Sequence, residues 1–192
     1  MNKDINYNFF YWGPFLYKTV LSKKELEKIK KLCSKKHKDY RENLAGLIKN
    51  EHKIDTKKFF PLIYPYLESY KKAINNQYGI DLENNIKLMS SWVNYMTTGE
   101  SNPIHRHYGD FSFVIYIKIP KKIKKQISRS TPGSINFLYT LEDQKYTINK
   151  HVFIPKEGDF FIFPASLNHY VNSFESDEER ISVSGNITLT DE

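Results

Sequence analysis

The chain is short of the residues that would set it apart from ordinary globular proteins. It holds one cysteine, Cys33, in 192 residues, which excludes an internal disulfide; among helically spaced apolar residues this thiol reads as a small packed hydrophobe. Glycine and proline number only eight each, which excludes collagen-like or linker-like composition. Long hydrophobic runs are missing: FFIFPA (160–165) is far shorter than the ~20 residues that span a bilayer. The opening MNKDINYNFFYW has no basic stretch followed by an apolar one, so no export signal is expected and the protein reads as cytoplasmic. Neither an internal repeat nor a low-complexity segment is visible.

Bulky side chains are plentiful instead. Hydrophobic residues make up 40% and aromatics 15%, with 14 Tyr and 13 Phe, too rich for a disordered chain. The length fits one domain with one good core. A net charge of +7 raises the question of nucleic acid, but the lysines concentrate in SKKELEKIKKLCSKKHK and KKIKK, interleaved with glutamate or isolated in a connection. That distribution favours a solvated helix face and a loop, while steering of an acidic substrate or a nucleic acid stays open.

Periodicity changes near residue 86. In SKKELEKIKKLC, Ser22 and Glu25 form a capping box ahead of a stripe of Leu26, Ile29, Leu32 and Cys33, which predicts an amphipathic helix. YPYLESYKKAINNQYG (64–79) keeps Ile63, Leu67, Tyr70 and Ile74 on helical spacing, with Pro61 and Pro65 restricting the start and Gly79 placed to end it. The intervening YRENLAGLIKNEHKID (40–55) reads as a lid or a connection. From residue 87 on, eight short strand candidates follow: LMSSWVNYMT, PIHRH, FSFVIYIKI, SINFLYT, KYTINKHVFI, DFFIFP, HYVNSF and RISVSGNITL. Turn-rich breaks separate them. The expected class is mainly β with N-terminal helices (α+β), the strands forming a sandwich, barrel or jelly roll. Residues 1–85 would be a helical segment packed on a β core of 86–192, in one integrated domain.

NPIHRHYGDFSFVIYIKIP (102–120) carries two histidines at i and i+2 entering a strand. Side chains at that spacing point from one face, and two imidazoles on one face are half of a metal site. His169, after the apolar strand and proline turn of FPASLNH, leaves room for four intervening strands and can return opposite the first pair. His37, His52 and His151 have no such company and read as surface residues. Further on, RIS places Arg180 and Ser182 on one face of a strand; a guanidinium fork beside a hydroxyl suits a dicarboxylate's distal carboxyl group. The plain alternative is an arginine bridged to the acidic ESDEE.

These pieces in this order, NPIHRH, FSFVIY, FIFPASLNH and RISVSGN, resemble the iron(II)- and 2-oxoglutarate-dependent oxygenases, and within them a phage and marine-bacterial branch related to prolyl hydroxylases. The similarity covers roughly residues 87–189, with WGPF and NLAG also alike. It implies a cupin-like double-stranded β-helix holding Fe(II), with 2-oxoglutarate and O2 as cosubstrates, and location in a host cytoplasm if the gene belongs to a phage. Carried over by position, the resemblance makes His105, His107 and His169 metal ligands. Arg180, Ser182 and Tyr116 would bind the C5 carboxylate, and Tyr95 would be a cosubstrate-side aromatic or else a core tyrosine. His107 stands where a carboxylate is usual, so Asp110 is the alternative third ligand. The activity implied is hydroxylation coupled to conversion of 2-oxoglutarate to succinate. A protein or peptide side chain is the favoured substrate, with a free amino acid or a nucleic-acid base also compatible. Two other classes remain: a cupin-like metal-binding isomerase or sensor, and a non-catalytic interaction module docking through NFFYWGPFLY. Oligomeric state is not legible.

Overall fold

A computed structural model describes residues 13–82, 85–123, 131–140 and 147–191. Among them the chain forms ten strands, two α-helices and one 3-10 turn. The first half of NFFYWGPFLY and part of KKIKK lie outside the described residues.

Helix α1 (Lys23–Lys30) starts at the expected capping box. The Ser22 hydroxyl accepts from the Glu25 amide and the Glu25 carboxylate accepts from the Ser22 amide, so two otherwise orphaned donors are satisfied. Helix α2 (Thr56–Tyr78) begins eight residues before the expected stretch, capped by Asp55, and ends at Gly79 in the left-handed conformation. Pro61 and Pro65 lie inside it. Both occupy the exposed face, where the carbonyls they leave unpaired meet water. The buried stripe Phe59, Ile63, Leu67, Tyr70 and Ile74 extends the apolar face back past both prolines.

The strands are β1 (Tyr17–Val20), β2 (Glu51–Lys53), β3 (Asn85–Met96), β4 (Asn102–His105), β5 (Phe111–Lys118), β6 (Ile135–Leu138), β7 (Lys150–Phe153), β8 (Asp159–Pro164), β9 (Asn168–Val171) and β10 (Arg180–Thr190). They make a six-stranded sheet in the order β1-β8-β5-β10-β3-β2 and a four-stranded sheet in the order β4-β9-β6-β7, paired antiparallel throughout. This is the mainly β jelly roll with N-terminal helices. Each of the eight expected strands is present. The N-terminal part, expected to be helical, also supplies β1 and β2 at the two edges of the large sheet. Both are too short to show a period.

Strand alternation divides the large sheet into two faces. Val93, Tyr95, Ile115, Ile117, Phe160, Ile162 and Val183 pack in one cluster with the helical residues Leu26, Ile29, Phe59, Ile63 and Leu67. Met96, Val114, Tyr116, Phe161 and Phe163 pack in a second cluster with Ile135, Phe137 and Val171 of the small sheet. A bulge keeps β3 in phase: Asn186 pairs with Ser90 while Ile187 pairs with Leu88, so Met89 is the extra residue and both halves of the strand face the helices correctly. No helix among the described residues is long and apolar enough to cross a membrane.

Candidate metal centre and its cavity

The three histidines converge. His105, at the end of β4, is the direct cross-strand partner of His169 on β9, and His107 follows two residues on, its amide held by the Ala165 carbonyl. Their ligand atoms all lie within 4.8 Å of one another. Ring centroids are 4.2 Å apart for His105–His169 and 5.0 Å for each of the other pairs. His105 Nδ1 lies 2.7 Å from the Pro103 carbonyl and His169 Nδ1 lies 2.9 Å from the Leu167 carbonyl. Each Nδ1–H therefore donates to backbone, and each Nε2 presents a lone pair to the centre of the group. His107 Nε2 stands 3.2 Å from His169 Nε2. Two nitrogens each about 2.1 Å from a shared metal would be separated by roughly 3.0–3.4 Å.

Electrostatics keep this group neutral. Desolvation lowers the pKa of His105, lowers that of His107 to about 3 with a contribution from His105, and holds His169 well below the usual imidazole range. Neutral imidazoles are the form that binds metal. Among the described residues this trio is the one group of histidine, cysteine or carboxylate side chains placed to hold a metal ion.

Asp110 does not join it. Its Oδ2 accepts from the Leu189 amide at 2.7 Å and the Thr188 hydroxyl at 2.9 Å, and its carbonyl accepts from Ala165. The carboxylate thus fixes the β4–β5 turn to β10. Gly109, before it, has φ 92 and stands where a Cβ would lie 2.5 Å from the Ile187 carbonyl oxygen, so the turn lies close against β10 and needs glycine.

The trio lines a cavity of about 230 Å³ together with Tyr116, Arg180 and Ser182. Arg180 is 4% exposed. It donates from Nη1 to the Gly133 carbonyl at 2.8 Å, and Nη2 lies 2.7 Å from Met96 Sδ. Its Nε has no partner, nor does the buried Tyr116 hydroxyl. The guanidinium lies over the rings of Tyr116 and Phe174, 5.7 Å from each centroid, and none of the ion pairs among the described residues involves it. Burial lowers the Arg180 pKa and pushes the Tyr116 hydroxyl up to about 12. A buried cation and a buried hydroxyl with unused donors in one cavity fit an incoming anion, because an unpaired buried charge is costly. The alternative bridge from Arg180 to ESDEE is not made: Glu178 pairs with Lys118 and Glu179 with Lys35.

Tyr95 is not part of this cavity. It packs in the helix-side cluster, with its ring 6.2 Å from that of His52; on β3 the cavity side belongs to Trp92, Asn94 and Met96. It is a core tyrosine because it is the odd-numbered neighbour of residues that face inward. Sequence reasoning did not single out Trp92, Asn94 and Glu51, all cavity-lining. A polar Asn94 alternating with apolar Val93 and Tyr95 was the available signal. His52, read as a surface residue, is half-buried, with Nδ1 3.0 Å from the His37 carbonyl.

Comparison with known proteins adds to this geometry. No curated protein matches the chain. A Pseudomonas putida prolyl-4-hydroxylase is 14% identical, with 91% of this chain and 92% of that one covered and a TM-score of 0.58. A viral collagen prolyl hydroxylase from Paramecium Bursaria Chlorella virus-1, solved as a 2OG complex, is also 14% identical, covering 90% and 95% at a TM-score of 0.54. Of an oxidoreductase of the 2OG-Fe(II) oxygenase family from Burkholderia pseudomallei, the chain spans 57% of the length, with 68% of itself, 14% identity and a TM-score of 0.46. The first two likenesses show the fold. Residues 90–186 match the family model described as "Putative 2OG-Fe(II) oxygenase"; with half of the chain under that match, the protein belongs to the 2OG-Fe(II) oxygenase family.

Proposed function

We propose that the chain is an iron(II)- and 2-oxoglutarate-dependent dioxygenase that hydroxylates its substrate while 2-oxoglutarate is converted to succinate. The observation that carries this is the pairing, in one cavity, of a three-imidazole cluster with a buried guanidinium and a buried tyrosine hydroxyl that both have unused donors. His105, His107 and His169 would hold the iron through nitrogen, His105 and His169 through Nε2. When bound, iron with 2-oxoglutarate and O2 supplies the oxidising chemistry.

The residues of the chain do the rest. Arg180 Nε and the Tyr116 hydroxyl would donate to the distal carboxylate of 2-oxoglutarate, with Ser182 beside them. Charge-assisted bonds of this kind orient as well as attract. Phe113, Val114, Ile135, Phe163 and Val171 line the same cavity, and apolar walls beside such bonds strengthen them by lowering the local dielectric. Three neutral imidazoles leave the metal one unit more positive than two imidazoles and a carboxylate would.

The favoured substrate is a protein or peptide side chain, since two of the solved structures that the chain resembles are prolyl hydroxylases. Measuring succinate formed from 2-oxoglutarate with and without iron and O2 tests the reading. Succinate that requires both supports it. Metal uptake without any succinate in the presence of peptide pools would point to a metal-binding isomerase or sensor.

A further inference from the structure

The cavity holds further polar side chains besides Arg180, Tyr116 and the histidines, and one of them, Asn94, reaches the Ser182 hydroxyl through Nδ2 at 3.4 Å. Glu51 on edge strand β2 is 1% exposed, and its Oε2 has no hydrogen-bond partner. Its cross-strand neighbour Asn94 has an unpartnered Oδ1, and so does Asn102 at the start of β4. All three line the cavity. Two of them meet at Gly46, where a Cβ would lie 2.8 Å from Asn102 Oδ1 and 3.1 Å from Glu51 Oε1.

The nearby Glu100 shows what a satisfied buried carboxylate looks like in this fold. Its two oxygens accept from the amides of Lys49 and Thr97. Glu51 has neither an amide nor an ion-pair partner among the described residues. A buried carboxylate is costly unless donors or a cation meet it, and here none does so in contact: Arg41, which acts on Glu51 from a distance, is paired with Asp39. An aromatic wall runs from this spot to the metal centre: the Tyr40 ring is 5.9 Å from Trp92, and Trp92 is 5.7 Å from His107. Aromatic faces attract cations.

We propose that Glu51, with Asn94 and Asn102, is the recognition site for a cationic group of the substrate, an alkylammonium or a guanidinium. This rests on the reading of the cavity as the oxygenase site and narrows its substrate class to a molecule or side chain bearing such a group. Seated against Glu51, the cationic head anchors the substrate, and the Tyr40–Trp92 wall carries its aliphatic part toward His107. Desolvation, aided by the Glu100 charge, raises the Glu51 pKa to about 7; an arriving cation favours the ionised form.

The test is calorimetric titration of the zinc(II)-loaded protein, with and without 2-oxoglutarate, using n-butylamine, n-butylguanidine, 1-pentanol and pentanamide. Both cations should bind about tenfold or more tighter than the alcohol and the amide, and Glu51→Gln should abolish that preference while Glu51→Asp retains part of it. Equal binding of alcohol and amine by the wild type, no amine binding at millimolar concentration, or a cation preference that survives Glu51→Gln would overturn the proposal. Preference for pentanamide would also overturn it, by making Glu51 a protonated donor to a carbonyl. If the zinc-loaded protein takes up no 2-oxoglutarate, the oxygenase reading fails instead, and the amine titration without 2-oxoglutarate still decides the role of Glu51.

Discussion

His105 and His169 face each other across β4 and β9, and each is tethered in the same way: Nδ1 to the backbone carbonyl two residues earlier, Pro103 in one case and Leu167 in the other. Both rings are thereby fixed before any metal arrives, and both Nε2 atoms point at one spot. Rigid ligands bind tightly because little ordering is left to lose.

From this follows the first prediction. His105→Ala and His169→Ala each leave two imidazoles, and metal affinity should fall by more than the roughly 10–100-fold that loss of an outer hydrogen-bond partner costs. Metal stoichiometry on purified, folded variants checks it; full occupancy in either variant would show that the cluster is not the metal site.

The second concerns the third ligand. His107→Ala should lose metal, and His107→Asp should keep it, since a carboxylate oxygen bonds at a length similar to an imidazole nitrogen. Asp110→Ala should keep metal but lower stability by about 1–3 kcal/mol, because the Leu189 amide and Thr188 hydroxyl lose their acceptor. Metal loss in Asp110→Ala with full retention in His107→Ala would reverse the assignment.

How far the site could be read from the sequence depended on what held each residue. His105 and His107 announced themselves by spacing, and Arg180 and Ser182 by strand alternation, because a strand's period fixes which side chains share a face. Tyr95 fails for the same reason: only the pairing of Arg180 with Met96 and Ser182 with Asn94 shows that the even-numbered residues of β3 face the cavity. Glu51 was beyond reach, since β2 is three residues long and its burial comes from pairing with β3, a long-range contact with no local signature. The start of α2 was missed because proline propensity describes a helix interior in general, whereas these two prolines lie on its wet face.

The third prediction separates charge burial from binding. Arg180→Ala should weaken 2-oxoglutarate binding by roughly 2–5 kcal/mol, and Tyr116→Phe by about 1.5–3 kcal/mol, the loss of one bond to a charged group. Arg180→Met should bind as poorly as Arg180→Ala, yet without cosubstrate it should be as stable as the wild type or more so, because it removes an unpaired buried charge while filling its space. Titration of 2-oxoglutarate and thermal melts measure the two effects; unchanged affinity in Arg180→Ala would mean the anion site is elsewhere.

The last prediction is a pair of opposed pH slopes in the metal-free protein. The three imidazoles have folded pKa values below the ordinary 6.5. As pH falls through 6.5 the unfolded chain therefore takes up protons that the folded protein refuses, and stability drops toward acid. Glu51 acts the other way. Its folded pKa, raised from 4.5 to about 7, means that between those values the folded protein holds a proton the unfolded chain has released, so stability drops as pH rises. Over roughly pH 4.5–7 the two partly cancel in the wild type. Glu51→Gln removes only the second slope. The variant should show a melting temperature that climbs with pH across this window more steeply than the wild type does, and its advantage over the wild type should be largest at the alkaline end, where Glu51 would be forced to ionise. Melting curves of both metal-free proteins from pH 4.5 to 8 decide it: parallel curves would mean that Glu51 ionises in the folded protein as readily as in the unfolded chain.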